Sequence, residues 1–151
     1  MAGIYIHIPY CKKKCIYCDF YFKINIDDIK DMMICINKEL ISRKKYVKNN
    51  VIKTIYFGGG TPSILTKQDI KKILNTIYDN YKVTEKPEIT LEANPEDLNE
   101  EKLYDFFNVG VNRLSIGVQS FKDDDLIFLN RSHSGEDAIS SIKVAQEIGY
   151  R

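Results

Sequence analysis

Three cysteines lie close together near the start of the chain, with three residues between Cys11 and Cys15 and two between Cys15 and Cys18. Thiolates are the usual ligands of iron–sulfur clusters, because soft sulfur donors suit iron in this setting. Three thiolates on one tight loop would hold three irons of a cubic [4Fe–4S] cluster and leave the fourth iron open to a small molecule. The spacing therefore predicts a cluster-binding loop with one open coordination position.

The residue types also allow other uses of the cysteines. A structural zinc site needs a fourth ligand, and His7 or His133 could supply it, although neither stands at the usual zinc-finger spacing. A disulfide framework is disfavoured, because no signal peptide opens the chain and three clustered cysteines leave one unpaired. The spacing favours a cluster and leaves zinc open. Cys35 falls inside a predicted helix and is expected to be a buried structural thiol.

The cysteine loop is basic and rich in aromatic residues. Its three lysines, between Cys11 and Cys15, either lower the thiolate pKa values and offset the negative charge of a cluster or simply form a solvated loop. The aromatic side chains are expected to keep water from a cluster, which would tune its potential, or else to belong to the core. These aromatic residues are Tyr17, Phe20, Tyr21 and Phe22.

The composition is that of one ordinary domain. The chain has 151 residues, of which 44% are hydrophobic, so it can bury a core and is not disordered. A net charge of +1 gives no electrostatic footprint for nucleic acid, and no apolar run is long enough to span a membrane. Because no targeting segment precedes the cysteines, we expect the thiols to stay reduced in the cytoplasm.

Hydrophobic periodicity predicts strands that alternate with helices. Alternation of period two over residues 3–9 indicates a half-buried strand, and apolar residues at three- and four-residue steps indicate a helix over residues 27–46. Thr66 is the expected cap of a second helix, and Gly110 is the expected stop of a third. The predicted strands are 3–9, 51–57, 87–93 and 111–118, and the predicted helices are 27–46, 66–81, one between residues 94 and 110, 123–129 and 137–148.

The residues with unusual chemistry fall where a predicted strand ends. The cysteine loop follows the first strand, glycines 58–60 and Thr61 follow the second, Glu92 ends the third, and Gln119 ends the fourth. Successive glycines let the backbone approach a ligand closely. A βα unit repeated four times, with these residues at the carboxyl ends of the strands, is typical of a parallel α/β barrel. The sequence predicts one domain over residues 1–151 that stops where a fifth strand would begin.

Five further motifs accompany the cysteine loop in order along the chain. They are Tyr5-Ile6-His7-Ile8-Pro9, Cys18-Asp19-Phe20, Tyr56-Phe57-Gly58-Gly59-Gly60-Thr61-Pro62-Ser63, Glu92-Ala93-Asn94-Pro95 and Gly117-Val118-Gln119-Ser120-Phe121. With the cysteines, these motifs resemble the radical S-adenosylmethionine (SAM) superfamily. Within it they are most similar to the coproporphyrinogen III oxidase-like branch, and above all to the HemW haem chaperones of that branch.

The resemblance implies a fold, two cofactors and several partners. The fold would be the N-terminal portion of an incomplete (β/α)6 barrel of parallel strands with outer helices. SAM would chelate the open iron, and an electron from the cluster would break a carbon–sulfur bond to give a 5′-deoxyadenosyl radical. The implied partners are SAM, haem or a porphyrin, an electron donor such as a flavodoxin or ferredoxin, and haem-receiving respiratory proteins. The regions that would hold haem are expected beyond Arg151.

The resemblance also assigns contacts residue by residue. The cluster ligands match Cys11, Cys15 and Cys18. Arg131 matches an arginine that pairs with the SAM carboxylate, a partner that suits the guanidinium fork. For Glu92 and Arg131 the alternative is an ordinary surface ion pair, and His133 is expected to have only a cap or core role. Tyr5 matches a tyrosine near SAM, and Tyr17 matches an aromatic beside the adenine. The loop that meets the methionine amino group matches Gly59, Gly60 and Thr61. Glu92 and Gln119 match polar groups that contact the amino group or the ribose.

One position departs from the oxidases of this branch. They carry a fourth cysteine two residues after the third, where this chain has Phe20. The departure favours a haem-binding and delivery protein that keeps a SAM-ready cluster, and it disfavours coproporphyrinogen oxidation. SAM cleavage is compatible with either function. An oxygen-independent coproporphyrinogen III oxidase-like enzyme stays open as the alternative, as does a zinc-stabilised barrel fragment.

Overall fold

The computed structural model describes residues 2–48 and 50–151. Within these residues, four parallel strands form one sheet in the order β1-β2-β3-β4. The strands are β1 Ala2–Ile8, β2 Ile52–Gly59, β3 Val83–Ala93 and β4 Arg113–Ile116. The helices of the same part of the chain are α1 Ile29–Ser42, α2 Lys67–Asn80, α3 Glu100–Asn108, α4 Asp123–Phe128 and α5 Gly135–Ile148. The predicted α/β class with parallel strands and outer helices is confirmed.

The two faces of the sheet differ in chemistry, because successive residues of a strand point to opposite sides. In one row of the register Tyr5 pairs with Tyr56, and in the next row Ile6 pairs with Phe57. Ile6 and Phe57 are buried, whereas Tyr5 is 57% exposed. The apolar face packs under the helices and holds the core: Ile6, Ile8, Ile55, Phe57, Ile89 and Leu91. The other face is polar and aromatic.

Side-chain caps define the helix ends that the sequence predicted. Thr66 accepts a hydrogen bond from the backbone of Asp69, and the Asp69 carboxylate accepts one from the backbone of Thr66, which is a capping box. Gly110, just after α3, has a φ of +109°, a conformation that favours glycine. Both predicted helix boundaries are therefore confirmed. No helix in the described part of the chain combines the length and the apolar character needed to cross a bilayer.

The largest differences from the predicted boundaries are in three elements, α1, β3 and β4. Helix α1 ends at Ser42 rather than residue 46, and residues 43–48 continue as turns with hydrogen bonds such as Tyr46 N to Arg43 O (2.8 Å). Strand β3 begins at Val83 rather than residue 87, because Val83 pairs with Ile52 ahead of a register shift. Strand β4 is only four residues long. At its start Asn112 N donates to Ile89 O (3.0 Å), and the Asn112 side chain accepts from Ile89 N (3.0 Å) and donates to Pro87 O (2.8 Å).

The prediction that Cys35 is buried is wrong. Its side chain is exposed on the outer surface of α1. The buried positions of this helix are Met33, Asn37 and Leu40, which follow three- and four-residue steps. Cys35 stands two residues from Met33, and residues two apart on a helix do not share a face.

The last residue of the chain lies beside β4. Arg151 N donates a hydrogen bond to Asn112 O (3.2 Å), and Leu114 N donates to Arg151 O (3.1 Å). In a parallel pair, one residue bonds to the two residues that flank its partner on the next strand. Arg151 bonds in this way to Asn112 and Leu114, which flank Arg113. Arg151 therefore occupies the place beside β4 where the sequence predicts the next strand.

Candidate functional site

A cavity of about 390 Å³ opens at the carboxyl ends of the four strands. Parallel strands bring these ends to one edge of the sheet, so the loops after β1, β2, β3 and β4 all contribute to its wall. Its volume lies within the range of small-molecule sites. The wall contains every predicted site residue except Tyr5: Cys11, Cys15, Tyr17, Cys18, Gly59, Gly60, Thr61, Glu92, Gln119 and Arg131.

The backbone closes the cysteine loop at its base. Cys11 N donates to Lys23 O (3.0 Å), and Lys23 N donates to Pro9 O (2.7 Å), so the two ends of the loop are tied together. Cys18 N donates to Cys15 O at 3.2 Å, which makes a tight turn between the second and third cysteines. All three thiols are free and half-buried.

Two neighbouring loops donate hydrogen bonds to the cysteine sulfurs. Thr61 Oγ1 lies 3.4 Å from Cys11 Sγ, and Arg131 Nη1 lies 3.3 Å from Cys15 Sγ. Burial raises the pKa of the Cys11 thiol, while the hydrogen bond from Thr61 and the charge of Arg131 act to lower that pKa. The main groups that favour a Cys11 thiolate are therefore Thr61 and Arg131 rather than the lysines of the loop.

The arrangement suits a cluster better than a single zinc ion. Among the described residues, no three Cys, His, Asp or Glu side chains converge to hold one ion. His133 cannot complete a zinc site, because its Nδ1 lies 3.1 Å from Glu96 Oε2 and its Nε2 lies 3.0 Å from Val118 O. A cubic cluster is larger than one ion and each thiolate binds a different iron, so its three sulfurs can lie farther apart.

The glycine run at the end of β2 packs directly against the backbone of the cysteine loop. Gly60 N donates to Ile8 O (2.8 Å), and Thr61 N donates to Tyr10 O (2.7 Å). A Cβ added to Gly60 would lie 2.6 Å from Tyr10 O and 3.0 Å from Cys11 Sγ. Only glycine fits this contact without moving the first cysteine.

We expect Gly60→Ala to lower both the stability of the protein and its ability to take up a cluster. The added methyl group meets backbone that cannot give way, so the free energy of unfolding should fall by about 1–3 kcal/mol. Gly110→Ala is the control, because its Cβ meets nothing closer than Ile89 Cδ1 at 3.7 Å and is costly only through the positive φ. Denaturant unfolding and iron analysis check both variants. Parent-like iron content in Gly60→Ala would contradict the expectation.

Glu92 is held by two donors, and Tyr5 lies behind them. The Glu92 carboxylate accepts hydrogen bonds from Tyr56 OH (2.7 Å) and from Gly59 N (2.9 Å), so it is not an exposed ion pair. Tyr5 stacks on Tyr56 with ring centroids 5.9 Å apart, and its hydroxyl lies 3.1 Å from His7 Nδ1. Tyr5 lines a second cavity of about 410 Å³. Tyr5 does not line the first cavity; it contacts Tyr56, which in turn donates a hydrogen bond to Glu92 in the cavity wall.

Arg131 is buried in a polar network rather than paired at the surface. Its side chain is 5% exposed. Nη2 donates to Asn94 Oδ1 (2.7 Å) and to Gly117 O (2.9 Å). Burial acts to lower the pKa of Arg131, but the hydrogen bond to Cys15 and nearby acidic groups outweigh it and raise the pKa. Nε is buried without a hydrogen-bond partner among the described residues, so one donor of the fork remains for a carboxylate ligand.

The loop after β4 holds Gln119 in an unusual backbone conformation. Gln119 has a φ of +66°, which residues other than glycine rarely adopt. Gly117 N donates to Ala93 O (2.8 Å), and Val118 O bonds to His133, so the loop is held from both sides. The His133 side chain is fully buried. The core role expected for His133 is confirmed.

Asn94 and Asn130 belong to the site although sequence reasoning assigned them no role. Asn94 Nδ2 lies 3.3 Å from Thr61 Oγ1 while its Oδ1 accepts from Arg131, so it joins two predicted site residues. Asn130 Nδ2 donates to Lys14 O at 2.7 Å and so fixes the cysteine loop. Their positions, two residues after Glu92 and directly before Arg131, are the signal that could have found them.

The aromatic residues around the cysteines shield the cavity only in part. Tyr17, Phe20 and Phe22 contribute to its wall, whereas Tyr21 does not. Phe20 is 78% exposed and Tyr21 is 76% exposed. Phe20 therefore forms an open apolar rim beside the third cysteine.

The family model and the similar proteins both point to radical SAM proteins. The family model "Radical SAM superfamily" matches residues 5–151. Heme chaperone HemW of Bacillus subtilis is 40% identical over 99% of this chain and 40% of its own length. The mitochondrial "Radical S-adenosyl methionine domain-containing protein 1" of Danio rerio is 38% identical over 97% of this chain and 33% of its own length.

The strand arrangement also has a solved counterpart. The structure of coproporphyrinogen III oxidase (HemN) from Escherichia coli superposes with a TM-score of 0.88 at 28% identity, over 98% of this chain and 35% of that chain. The chain thus spans between a third and two-fifths of the length of these relatives. Because the family match covers nearly the whole chain and the strand order agrees with it, this chain belongs to the radical SAM superfamily.

Proposed function

We propose that this chain is the cluster- and SAM-binding part of a haem chaperone of the HemW type, which binds haem and delivers it. The observation that carries the proposal is Phe20, which lines the cavity where the oxidases of this branch have a cysteine. An apolar ring cannot take part in thiol or metal chemistry, but it can shield the cysteine loop. The similarity to proteins named heme chaperone HemW supports the same function.

Membership of the superfamily implies a [4Fe–4S] cluster and SAM as cofactors, and the cavity offers groups for both. In the proposal the cluster is held by Cys11, Cys15 and Cys18. The unpartnered Nε of Arg131 suits the SAM carboxylate. The cluster, when bound, supplies a low-potential electron; the residues of this chain bind, orient and exclude water. The other proposed SAM contacts are Tyr17, Gly59, Gly60, Thr61, Glu92 and Gln119, with Tyr5 acting from behind Tyr56.

The proposal includes partners beyond SAM. They are haem or a porphyrin, an electron donor such as a flavodoxin or ferredoxin, and respiratory proteins that receive haem. The free thiols of the loop suit a reducing compartment such as the cytoplasm. This chain is expected to provide the cofactor site, while other parts of a protein as long as the relatives would hold the haem.

The second candidate is a radical enzyme that oxidises a porphyrinogen, like coproporphyrinogen III oxidase. The close structural agreement with the Escherichia coli oxidase favours it. Both candidates need the same cluster and the same SAM contacts. Cofactor binding therefore cannot separate them, and a test must measure haem binding and porphyrinogen turnover.

We expect the protein at its natural length to bind haem and SAM without converting coproporphyrinogen III to protoporphyrinogen IX. The assay is anaerobic, with reconstituted protein, a reductant, SAM and coproporphyrinogen, and the porphyrins are resolved after oxidation. A haem titration is followed in parallel by absorbance. A saturable one-to-one spectral change without turnover supports the chaperone. Multiple turnovers to protoporphyrin would replace it with the oxidase-like enzyme.

A further inference from the structure

Asp97 is a buried carboxylate outside the wall of the first cavity. It ends the short 3-10 turn Pro95–Asp97 that follows β3, and its side chain is 0% exposed. Removing a carboxylate from water is costly unless partners compensate the charge. Loss of a partner would leave the buried Asp97 charge uncompensated, so its partners are expected to stay in place. The residues that pair with Asp97 therefore show which segments it fixes.

The partners of Asp97 come from two other strand-end loops. Lys12 Nζ pairs with Asp97 Oδ1. Ser63, in the turn Pro62–Ile64 after β2, donates its hydroxyl to Asp97 Oδ2 at 2.7 Å. The carboxylate thus joins the cysteine loop to the turns that follow β2 and β3. Lys12 is the residue directly after Cys11.

The two halves of the cysteine loop are held by different groups. The half that follows Lys14 is held from the segment before Arg131, because Asn130 Nδ2 bonds to Lys14 O (2.7 Å) and Ile16 N bonds to Leu129 O (3.3 Å). In the half near Cys11, the side chain that reaches outward to a buried partner is Lys12. Cys11 itself is also held by Lys23 O (3.0 Å) and by the Thr61 hydroxyl (3.4 Å), so loss of the Lys12–Asp97 pair would loosen the first cysteine and leave the others in place.

We propose that Asp97 is a positioning residue that holds the Cys11 half of the loop through Lys12, so that the first thiol is in place for a cluster. The proposal rests on the proposed cluster site for its consequence, but the positioning itself is a property of the cluster-free chain. Lys13 is the matched control on the same loop. It is exposed and forms no ion pair or side-chain hydrogen bond within the described residues.

The two partners of this ion pair differ strongly in exposure to solvent. The Lys12 side chain is 60% exposed while that of Asp97 is fully buried, so the pair costs Lys12 little solvation. A second cation is close: burial lowers the pKa of Lys102 and the charge of Asp97 opposes that shift. Lys102 and Ser63 can therefore stabilise Asp97 in a Lys12 variant, which should fold while its loop is released.

The test measures how fast each cysteine is alkylated by iodoacetamide in the cluster-free protein. Peptide mass spectrometry reports Cys11 against Cys35, whose exposed position on α1 makes it an internal reference. In Asp97→Asn and in Lys12→Met the ratio of Cys11 to Cys35 labelling should rise at least about threefold, as local opening becomes easier. Lys13→Met should leave the ratio unchanged, and Lys12→Arg should restore the parent value.

The two variants separate positioning from simple electrostatics. Removing the Lys12 cation disfavours a nearby thiolate, and removing the Asp97 anion favours one, so a purely electrostatic effect would move the Cys11 rate in opposite directions. Release of the loop raises the rate in both. Opposite changes, or no change in Asp97→Asn, would overturn the proposal. So would equal acceleration of Cys11, Cys15 and Cys18, all half-buried, because that indicates general unfolding or opening of the whole loop.

A second measurement uses the reconstituted protein. With a chelator present, Asp97→Asn and Lys12→Met should lose their visible cluster absorbance faster than the parent and Lys13→Met. If the parent itself takes up no cluster, the proposed function fails while the alkylation result still decides the role of Asp97. If the parent holds a cluster and both variants keep it as long, the positioning role is refuted and the cluster site stands.

Discussion

Cys15→Ser should abolish cluster binding, and Cys35→Ser should leave it intact. Cys15 lies on the cavity wall and accepts a hydrogen bond from Arg131, whereas Cys35 is exposed on α1. A serine hydroxyl is a poor replacement for a thiolate at iron, so one of three protein ligands is lost. Protein made without oxygen should carry about four iron and four acid-labile sulfide per chain in the parent and in Cys35→Ser.

Metal analysis also decides between the cluster and zinc. Stoichiometric zinc without sulfide in the parent would contradict the cluster site as a whole. Parent-like iron and sulfide in Cys15→Ser would remove Cys15 from the ligand set while leaving the rest of the site open to test. The two cysteine variants make the same sulfur-to-oxygen substitution at two positions of one chain, so a difference in cluster content between them reports the position of the cysteine.

Arg131→Ala should weaken SAM binding by roughly tenfold or more, because a hydrogen bond to a charged group contributes about 1.5–3 kcal/mol. The buried guanidinium keeps Nε without a partner among the described residues, and a carboxylate would satisfy it. Calorimetry on the reconstituted protein measures the affinity, and iron analysis shows whether the cluster is retained. Equal SAM affinity in variant and parent would remove Arg131 from the site.

Two further variants sharpen the Arg131 test. Arg131→Lys keeps the charge but loses the planar fork, so it should recover only part of the affinity. Arg113→Ala is the matched control, because Arg113 is a half-buried arginine on β4 that bonds to Thr90 Oγ1 (3.3 Å) and does not line the cavity. Weakening by Arg113→Ala equal to that by Arg131→Ala would point to general damage to the sheet.

Local rules account for most of the fold that could be predicted. Thr66 and Gly110 marked helix ends because caps and positive φ values depend on a few neighbouring residues. The late start of β4 was not predictable, because the Asn112 side chain takes two backbone partners on β3, Ile89 N and Pro87 O, and a contact between distant segments leaves no local pattern. Cys35 was misplaced because the prediction followed the general tendency of free cysteines to be buried, although the three- and four-residue steps of its helix place it off the packed face.

The sequence by itself predicted thiolate ligands, and it determined the order of strands and helices and the gathering of special residues at strand ends, because spacing and periodicity are local properties. Only the tertiary structure decided that Arg131 lies against Cys15, 116 positions away in the chain. It also placed Tyr5 behind Tyr56, and it joined Lys12 to the buried Asp97. Such contacts depend on how distant loops meet at one edge of the sheet, and no local pattern encodes that meeting.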